Sequence, residues 1–201
     1  MKPIGEVVVR NDKLLQTIRD FVFAAMENND PAHDSDHVRR VAALADTIAK
    51  AYPKADSFRI QLLALLHDMH DDKLSSNTDT DRLRRHLLDL GVSPEDVAFA
   101  LSAIDYISYR KHPKLSPDIA LEIRIVQDAD RIDAIGATGI ARTFAYGGAN
   151  NRSLQDSLSH FDDKLLKLYD LLSTDEAKRI AKSRQAFLER FYAQFREEFT
   201  E

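Results

Sequence analysis

The sequence predicts an all-α protein, a single helical bundle with extra helices at its C-terminal end. Apolar residues recur at steps of three and four along most of the chain. The six Gly and six Pro fall mostly at breaks between those periodic segments. No stretch reads convincingly as a strand, an internal repeat or a low-complexity tract. With 201 residues the chain has room for one domain with a sizeable core. Residues 1–201 are therefore read as one unit, with a core over about 12–146 and C-terminal helices over about 159–200 packing on it.

Residues 12–28 read as the first helix, with Leu14, Leu15, Ile18, Phe21, Val22 and Ala25 on its buried side, ended by Asn28-Asn29-Asp30-Pro31. Over 34–51, Val38, Val41, Ala45 and Ile48 mark a second helix, closed by Tyr52-Pro53. Residues 56–70 include the run from Ile60 to Leu66, apolar nearly all round, which predicts a central, buried helix. The polar run Asp71 to Asp81 reads as a loop into a helix at about 81–90 that Gly91 stops. Ser93-Pro94-Glu95 starts the next helix, with Pro at its first position, running through Ile104 toward Tyr109. After the loop Lys111-His112-Pro113-Lys114, Ser116-Pro117 opens a helix carrying Ile119, Ile123 and Val126 onward through Asp130. Small residues follow (Ala134, Gly136, Ala137, Gly139, Ala141), allowing close backbone contact, until Gly147-Gly148 breaks the pattern. Residues 149–158 read as a loop, and helices over about 160–172 and 175–199 finish the chain, with Ser173 and Glu176 as a capping box between them.

Net charge is −5, from 28 basic and 33 acidic residues, so no global basic field draws the chain to DNA, RNA or anionic lipid. Phosphates, if handled, must meet local positive charge from a metal or a few Lys and Arg. The absence of cysteine excludes disulfides, thiolate zinc sites and a Cys nucleophile. The longest N-terminal apolar stretch, Val7-Val8-Val9, is far below a signal-peptide core or a membrane span, and the expected location is the cytoplasm.

Ionisable residues on apolar helix faces are the informative anomaly, because a buried charge is costly unless paired or metal-bound. His67 and Asp68 end the most apolar segment of the chain; a His capping helix carbonyls and a solvated Asp is the plain alternative. His37 lies on the face of Val41, Leu44 and Ile48, as a ligand or as a hydrogen-bonded core histidine. Asp130 shares the line of Ile119, Ile123 and Val126, with Asp128 and Asp133 as competitors that periodicity does not separate from it. Imidazoles and carboxylates together suit Mn²⁺, Fe²⁺, Co²⁺, Ni²⁺ or Zn²⁺ more than Ca²⁺.

Three segments resemble the three motifs of the HD (histidine–aspartate) superfamily, H…HD…D in fixed order: His33-Asp34-Ser35-Asp36-His37-Val38-Arg39-Arg40-Val41, Leu65-Leu66-His67-Asp68 and Val126-Gln127-Asp128-Ala129-Asp130-Arg131-Ile132-Asp133. The resemblance implies an HD-domain bundle in which His37, His67, Asp68 and Asp130 hold one divalent ion, and it selects Asp130 over its neighbours. Mn²⁺ is the first expectation, with Mg²⁺, Co²⁺, Fe²⁺, Ni²⁺ and Zn²⁺ as alternatives. The stretch from Gln127 to Gly148 and the segment His160-Phe161-Asp162-Asp163-Lys164-Leu165 are further similar to a bacterial subgroup of stand-alone HD hydrolases, the YpgQ-like proteins. That likeness spans nearly the whole chain. It implies hydrolysis of (deoxy)nucleoside triphosphates to monophosphate and pyrophosphate, with a small-molecule nucleotide as partner.

Further candidates surround this set. Asp71 follows Asp68 by three residues, one helical turn, and resembles the acidic group with which HD nucleotidases orient or deprotonate the attacking water; a solvated loop acid is its alternative. Lys73 is placed to reach phosphates. His33 and Asp34 are candidates to orient His37, with Asp34 also a natural helix N-cap, and Asp34 shares with Asp71 the role of positioning water. Arg40, Arg131 and Arg142 are candidate phosphate clamps, since guanidinium grips such oxygens in a fork. His160 and Lys164, four apart, complete a substrate pocket if the subgroup resemblance holds. Gly136 and Gly139 follow no strand and form no dinucleotide fingerprint, so they read as helix-packing glycines. Phe187, Phe191, Phe195 and Phe199 form a stripe expected in the core, or second at a homodimer interface. The alternatives in function are a 5′-nucleotidase, another HD phosphomonoesterase or phosphodiesterase, and a non-catalytic metal- or nucleotide-binding regulator.

Overall fold

The computed structural model describes residues 4–26, 35–69, 77–107 and 118–200, and among these every regular element is helical. In chain order they are α1 (Ile4–Ala25), α2 (Ser35–Ala49), α3 (Ser57–Leu66), α4 (Asn77–Asp89), α5 (Pro94–Ile107), α6 (Leu121–Asp133), α7 (Gly136–Ala149), α8 (Leu154–Asp163) and α9 (Asp175–Thr200). Two single 3-10 turns, Leu165–Lys167 and Tyr169–Leu171, link α8 to α9.

The centre is α3. It packs against α1, α2, α5 and α6, so its apolar circumference is covered on all sides, and Ile60, Leu62, Leu63, Ala64, Leu65 and Leu66 are all buried. Asp56 starts the helix as its N-cap, accepting from the amides of Phe58 and Arg59 at 2.9 and 3.1 Å. A second packing centre is α6, which contacts α2, α3, α5, α7 and α9. One apolar cluster runs from Ile18 on α1 to Leu188 on α9.

Several expected boundaries move. The first helix begins at Ile4 rather than near 12, and α4 begins at Asn77 rather than near 81. The run of small residues after Asp130 is a sharp reversal between two helices. Ile135 is extended, Gly136 takes a φ of +75°, and the carbonyl of Ala134 lies where a Cβ on Gly139 would be. Both glycines are packing glycines: a Cβ on Gly136 would also meet the side chain of Arg184 on α9. Gly147 and Gly148 do not break α7; Gly147 is buried where α7 meets Ser157 of α8 and has no room for a side chain.

The expected loop over 149–158 is shorter, because a capping box of Ser153 and Asp156 starts α8 at Leu154. The capping box expected of Ser173 and Glu176 does not form. Ser173 is engaged by Asp128, the hydroxyl of Thr174 accepts from the amide of Ala177 at 3.3 Å, and Glu176 pairs with Arg179. The Phe stripe of α9 is only partly core. Phe191 and Phe195 pack with Phe144 and Phe161, whereas Phe187 and Phe199 stay 42% and 49% exposed.

Candidate metal centre

Three helices bring their ionisable residues to one point. His37 sits in the first turns of α2 at 2% exposure. Its Nδ1 donates to Asp133 Oδ2 at 2.8 Å, because an ionised carboxylate only accepts. His67 is the C-cap of α3, and its Nδ1 donates to the carbonyl of Ala64 at 2.8 Å. The carbonyl cap that is the plain sequence reading of His67 is therefore realised, and the ring is buried as well.

With each Nδ1 committed as a donor, each neutral ring presents a bare lone pair at Nε2. The two Nε2 atoms face each other at 3.3 Å. Asp68 places Oδ2 at 3.3 Å from Nε2 of His37 and Oδ1 at 3.6 Å from Nε2 of His67. Asp130 places Oδ1 at 3.4 Å from Nε2 of His37. Ligand atoms of His37, His67 and Asp68 all lie within 4.8 Å of one another, a group able to hold a metal ion, and Asp130 flanks it. The imidazoles are buried while Asp68 and Asp130 are 16% and 25% exposed, so the carboxylates form the mouth of the site.

Acceptors gathered so closely around Nε2 of His37 suit a cation among them, and the N/O donor set fits a divalent transition metal. Without an ion the proton on His37 is the substitute. Burial pushes that imidazole down, but hydrogen bonds to Asp130 and Asp133 and the charges of Asp130 and Asp68 outweigh it and hold it up at about 9. For Asp130, burial pulls upward, and the His37 hydrogen bond with the His37 and His67 charges brings the net shift below the usual carboxylate range.

Periodicity left the division of labour along α6 open and only the HD resemblance singled out Asp130; in the structure its three acids have different partners. Asp130 and Asp133, one turn apart, meet the two nitrogens of the same imidazole. Asp133, fully buried, also accepts from Arg40 at 2.7 and 3.1 Å and from Arg142 at 2.7 Å. Against burial, His37 and Arg40 dominate the forces that keep Asp133 well below the usual carboxylate range. Asp128 turns the other way and takes the amides of Ser173 and Thr174 at 2.9 and 2.8 Å and the Thr174 hydroxyl at 2.7 Å.

Residues 34–135, which contain all of these side chains, match the family model described as the HD domain. The chain belongs to the HD-domain family. Its relatives are similar over almost the full length. It is 38% identical over 192 residues to the uncharacterized protein YpgQ of Bacillus subtilis, covering 90% of this chain and 92% of that protein. The crystal structure of B. subtilis YpgQ in complex with ADP superposes with a TM-score of 0.78 at 33% identity, covering 94% of this chain and 96% of that one. An HD-superfamily hydrolase from Bacillus thuringiensis gives a TM-score of 0.75 at 35% identity, covering 94% of this chain and 98% of that one.

In this HD-domain protein the remaining candidates divide. Arg40 and Arg142 lie at the site, 35% and 18% exposed, both on Asp133. Arg131 corrects the expectation of a phosphate clamp: it is 2% exposed, and Nη1 donates to the carbonyl of Leu171 at 2.7 Å, joining α6 to the second 3-10 turn. His160 is half-buried on α8, its imidazole lowered by burial and by the charges of Lys164 and Arg152. Lys164 leaves the helix as its C-cap, with its amide on the His160 carbonyl. His33, Asp34, Asp71 and Lys73 lie outside the described residues. Asp133 was visible in the sequence only as a competitor of Asp130; the signal that finds it is the three-residue step from Asp130 together with the same step from His37 to Arg40. No described helix is long and apolar enough to cross a membrane.

Proposed function

We propose that this HD-domain protein is a metal-dependent nucleotide phosphohydrolase that splits (deoxy)nucleoside triphosphates into monophosphate and pyrophosphate. The observation that carries this reading is the pair of imidazoles with both Nδ1 atoms bonded and both Nε2 atoms turned to one point, 3.3 Å apart, beside Asp68 and Asp130. His37, His67, Asp68 and Asp130 would hold one divalent ion, Mn²⁺ first among the candidates. Bound there, such an ion supplies Lewis acidity toward a phosphoryl oxygen and makes water a better nucleophile.

The side chains of the chain would do the rest. Arg40 and Arg142 sit partly exposed beside the ligand set and face the charge that spreads over phosphoryl oxygens in the transition state. Asp71 or Asp34 is proposed to orient the water and take its proton, with Lys73, His160 and Lys164 toward the phosphate chain and His33 behind His37. Support for a nucleotide comes from YpgQ, crystallised with ADP, and support for hydrolysis from the B. thuringiensis relative, an HD-superfamily hydrolase. The acidic net charge agrees with a small anionic ligand recognised locally rather than a nucleic acid.

The test is a panel of nucleoside mono-, di- and triphosphates with Mn²⁺, Mg²⁺ or Co²⁺, read by phosphorus NMR of the products. Pyrophosphate with the matching monophosphate is expected. Orthophosphate from a monophosphate would make the protein a 5′-nucleotidase. Nucleotide-dependent thermal stabilisation with no product would make it a binding protein.

A further inference from the structure

Asp133 has a carboxylate with no solvent exposure and four donors around it: Nδ1 of His37, Nε and Nη2 of Arg40, and Nη1 of Arg142, at 2.7–3.1 Å. That number fills the acceptor capacity of a carboxylate. The donors come from α2 and α7, and Asp133 is the last residue of α6. An isolated buried carboxylate would take up a proton, and two guanidiniums on it keep it ionised.

We propose that Asp133 is the positioning residue of the metal centre. Its carboxylate fixes the His37 ring with Nε2 toward His67, Asp68 and Asp130, and locks Arg40 and Arg142 beside that ring as one unit. The inference rests on reading those four residues as a metal site.

The geometry gives the reason. An imidazole whose Nδ1 is unbonded can rotate about its ring axis or adopt the other tautomer, and either change removes a lone pair from the cluster. A carboxylate behind the ring also makes Nε2 a stronger donor to a metal. The three-residue steps His37 to Arg40 and Asp130 to Asp133 set this up: one turn of α2 faces one turn of α6, and the ring is bracketed by both acids. Asp128 on the same helix is equally buried and equally rich in hydrogen bonds, but all of them go to Ser173 and Thr174. It is the internal control for a buried carboxylate with a purely structural role.

The test is Mn²⁺ affinity by titration calorimetry on full-length wild type, D133N and D128N, each corrected for its folded fraction. Asp133→Asn is expected to weaken Mn²⁺ binding roughly 10- to 100-fold, the usual loss for an outer partner of a ligating histidine. Asp128→Asn is expected to lower the melting temperature and leave Mn²⁺ affinity unchanged. Equal Mn²⁺ affinity in D133N and wild type, or equal losses in both variants, would overturn the assignment. Wild type that binds no Mn²⁺, Mg²⁺ or Co²⁺ would instead sink the metal reading itself. If D133N does not fold, long-range proton–nitrogen NMR of wild type loaded with Zn²⁺ decides. A slowly exchanging Nδ1 proton on His37 with Nε2 ligated supports the proposal, and ligation through Nδ1 refutes it.

Discussion

His37 and His67 face each other through their Nε2 atoms at 3.3 Å, and each ring is pinned from behind, one by a carboxylate and the other by a backbone carbonyl. Two lone pairs held that close repel unless a proton or a metal lies between the rings and their carboxylates. Helix α2 supplies one ring and the end of α3 the other, so the packing of those helices sets the gap.

The first prediction removes one ring. His67→Ala is expected to abolish both metal content and turnover, with helical circular dichroism largely intact, because the apolar body of α3 from Ile60 to Leu66 does not depend on the imidazole. The stability cost is expected on the order of 1–3 kcal/mol, from a buried Ala64 carbonyl left without its donor. Full activity in this variant would exclude His67 from the site.

A second prediction concerns protons. In the metal-free protein the His37 pKa lies at about 9, above its ordinary 6.5, so the folded state holds a proton that the unfolded state has lost between those values. The stabilisation this provides is complete below about 6.5 and disappears as pH rises through about 9. A metal must displace that proton. Calorimetry in buffers of different ionisation enthalpy should find close to one proton released per Mn²⁺ at pH 7.5, and apparent affinity rising about tenfold per pH unit below 9. No proton release at pH 7.5 would mean that the metal-free protein does not hold a proton on His37 at that pH, and would overturn the raised pKa.

How far the sequence reached can be judged residue by residue. Periodicity placed α2 and turned His37 inward, because a 3.6-residue repeat fixes which side chains share a face. Helix α3 is apolar nearly all round, and His67 stood out only at the end of that run and through the HD resemblance. Periodicity could not rank Asp128, Asp130 and Asp133. Their roles depend on what packs against α6: Ser173 and Thr174 on one side, His37 and two arginines on the other. Arg131 failed as a clamp for the same reason, since a guanidinium aimed at a carbonyl 40 residues away leaves no local trace. The Ala134–Gly139 reversal was hidden because small residues suit a helix interior and a tight turn alike.

That reversal yields the third prediction. Gly139→Ala puts a methyl group against the carbonyl of Ala134, a backbone atom that cannot swing aside. The expected loss is about 1–3 kcal/mol in chemical denaturation, the cost of overpacking. The angle between α6 and α7 would shift with it, so Asp133 and Arg142 would separate and turnover should fall as well. Gly148→Ala, where a Cβ meets open space, should leave both stability and turnover near wild type.

Ligand binding to the folded state alone provides the fourth prediction. If His37, His67, Asp68 and Asp130 share one ion, Mn²⁺ at 100 times its dissociation constant should add about 2.7 kcal/mol of stability. For a chain of this size each kcal/mol is worth roughly 2–4 °C, so melting should rise by about 5–10 °C and return to its starting point with chelator. Asp68→Asn should blunt the shift by weakening a ligand at the mouth of the site, 16% exposed, without disturbing the buried rings. Asp162→Asn, which touches only the exposed Tyr192 pair among its described contacts, should keep the shift in full. A rise of the same size in Asp68→Asn and wild type would place the ion elsewhere on this acidic surface and separate true coordination from nonspecific counterion binding.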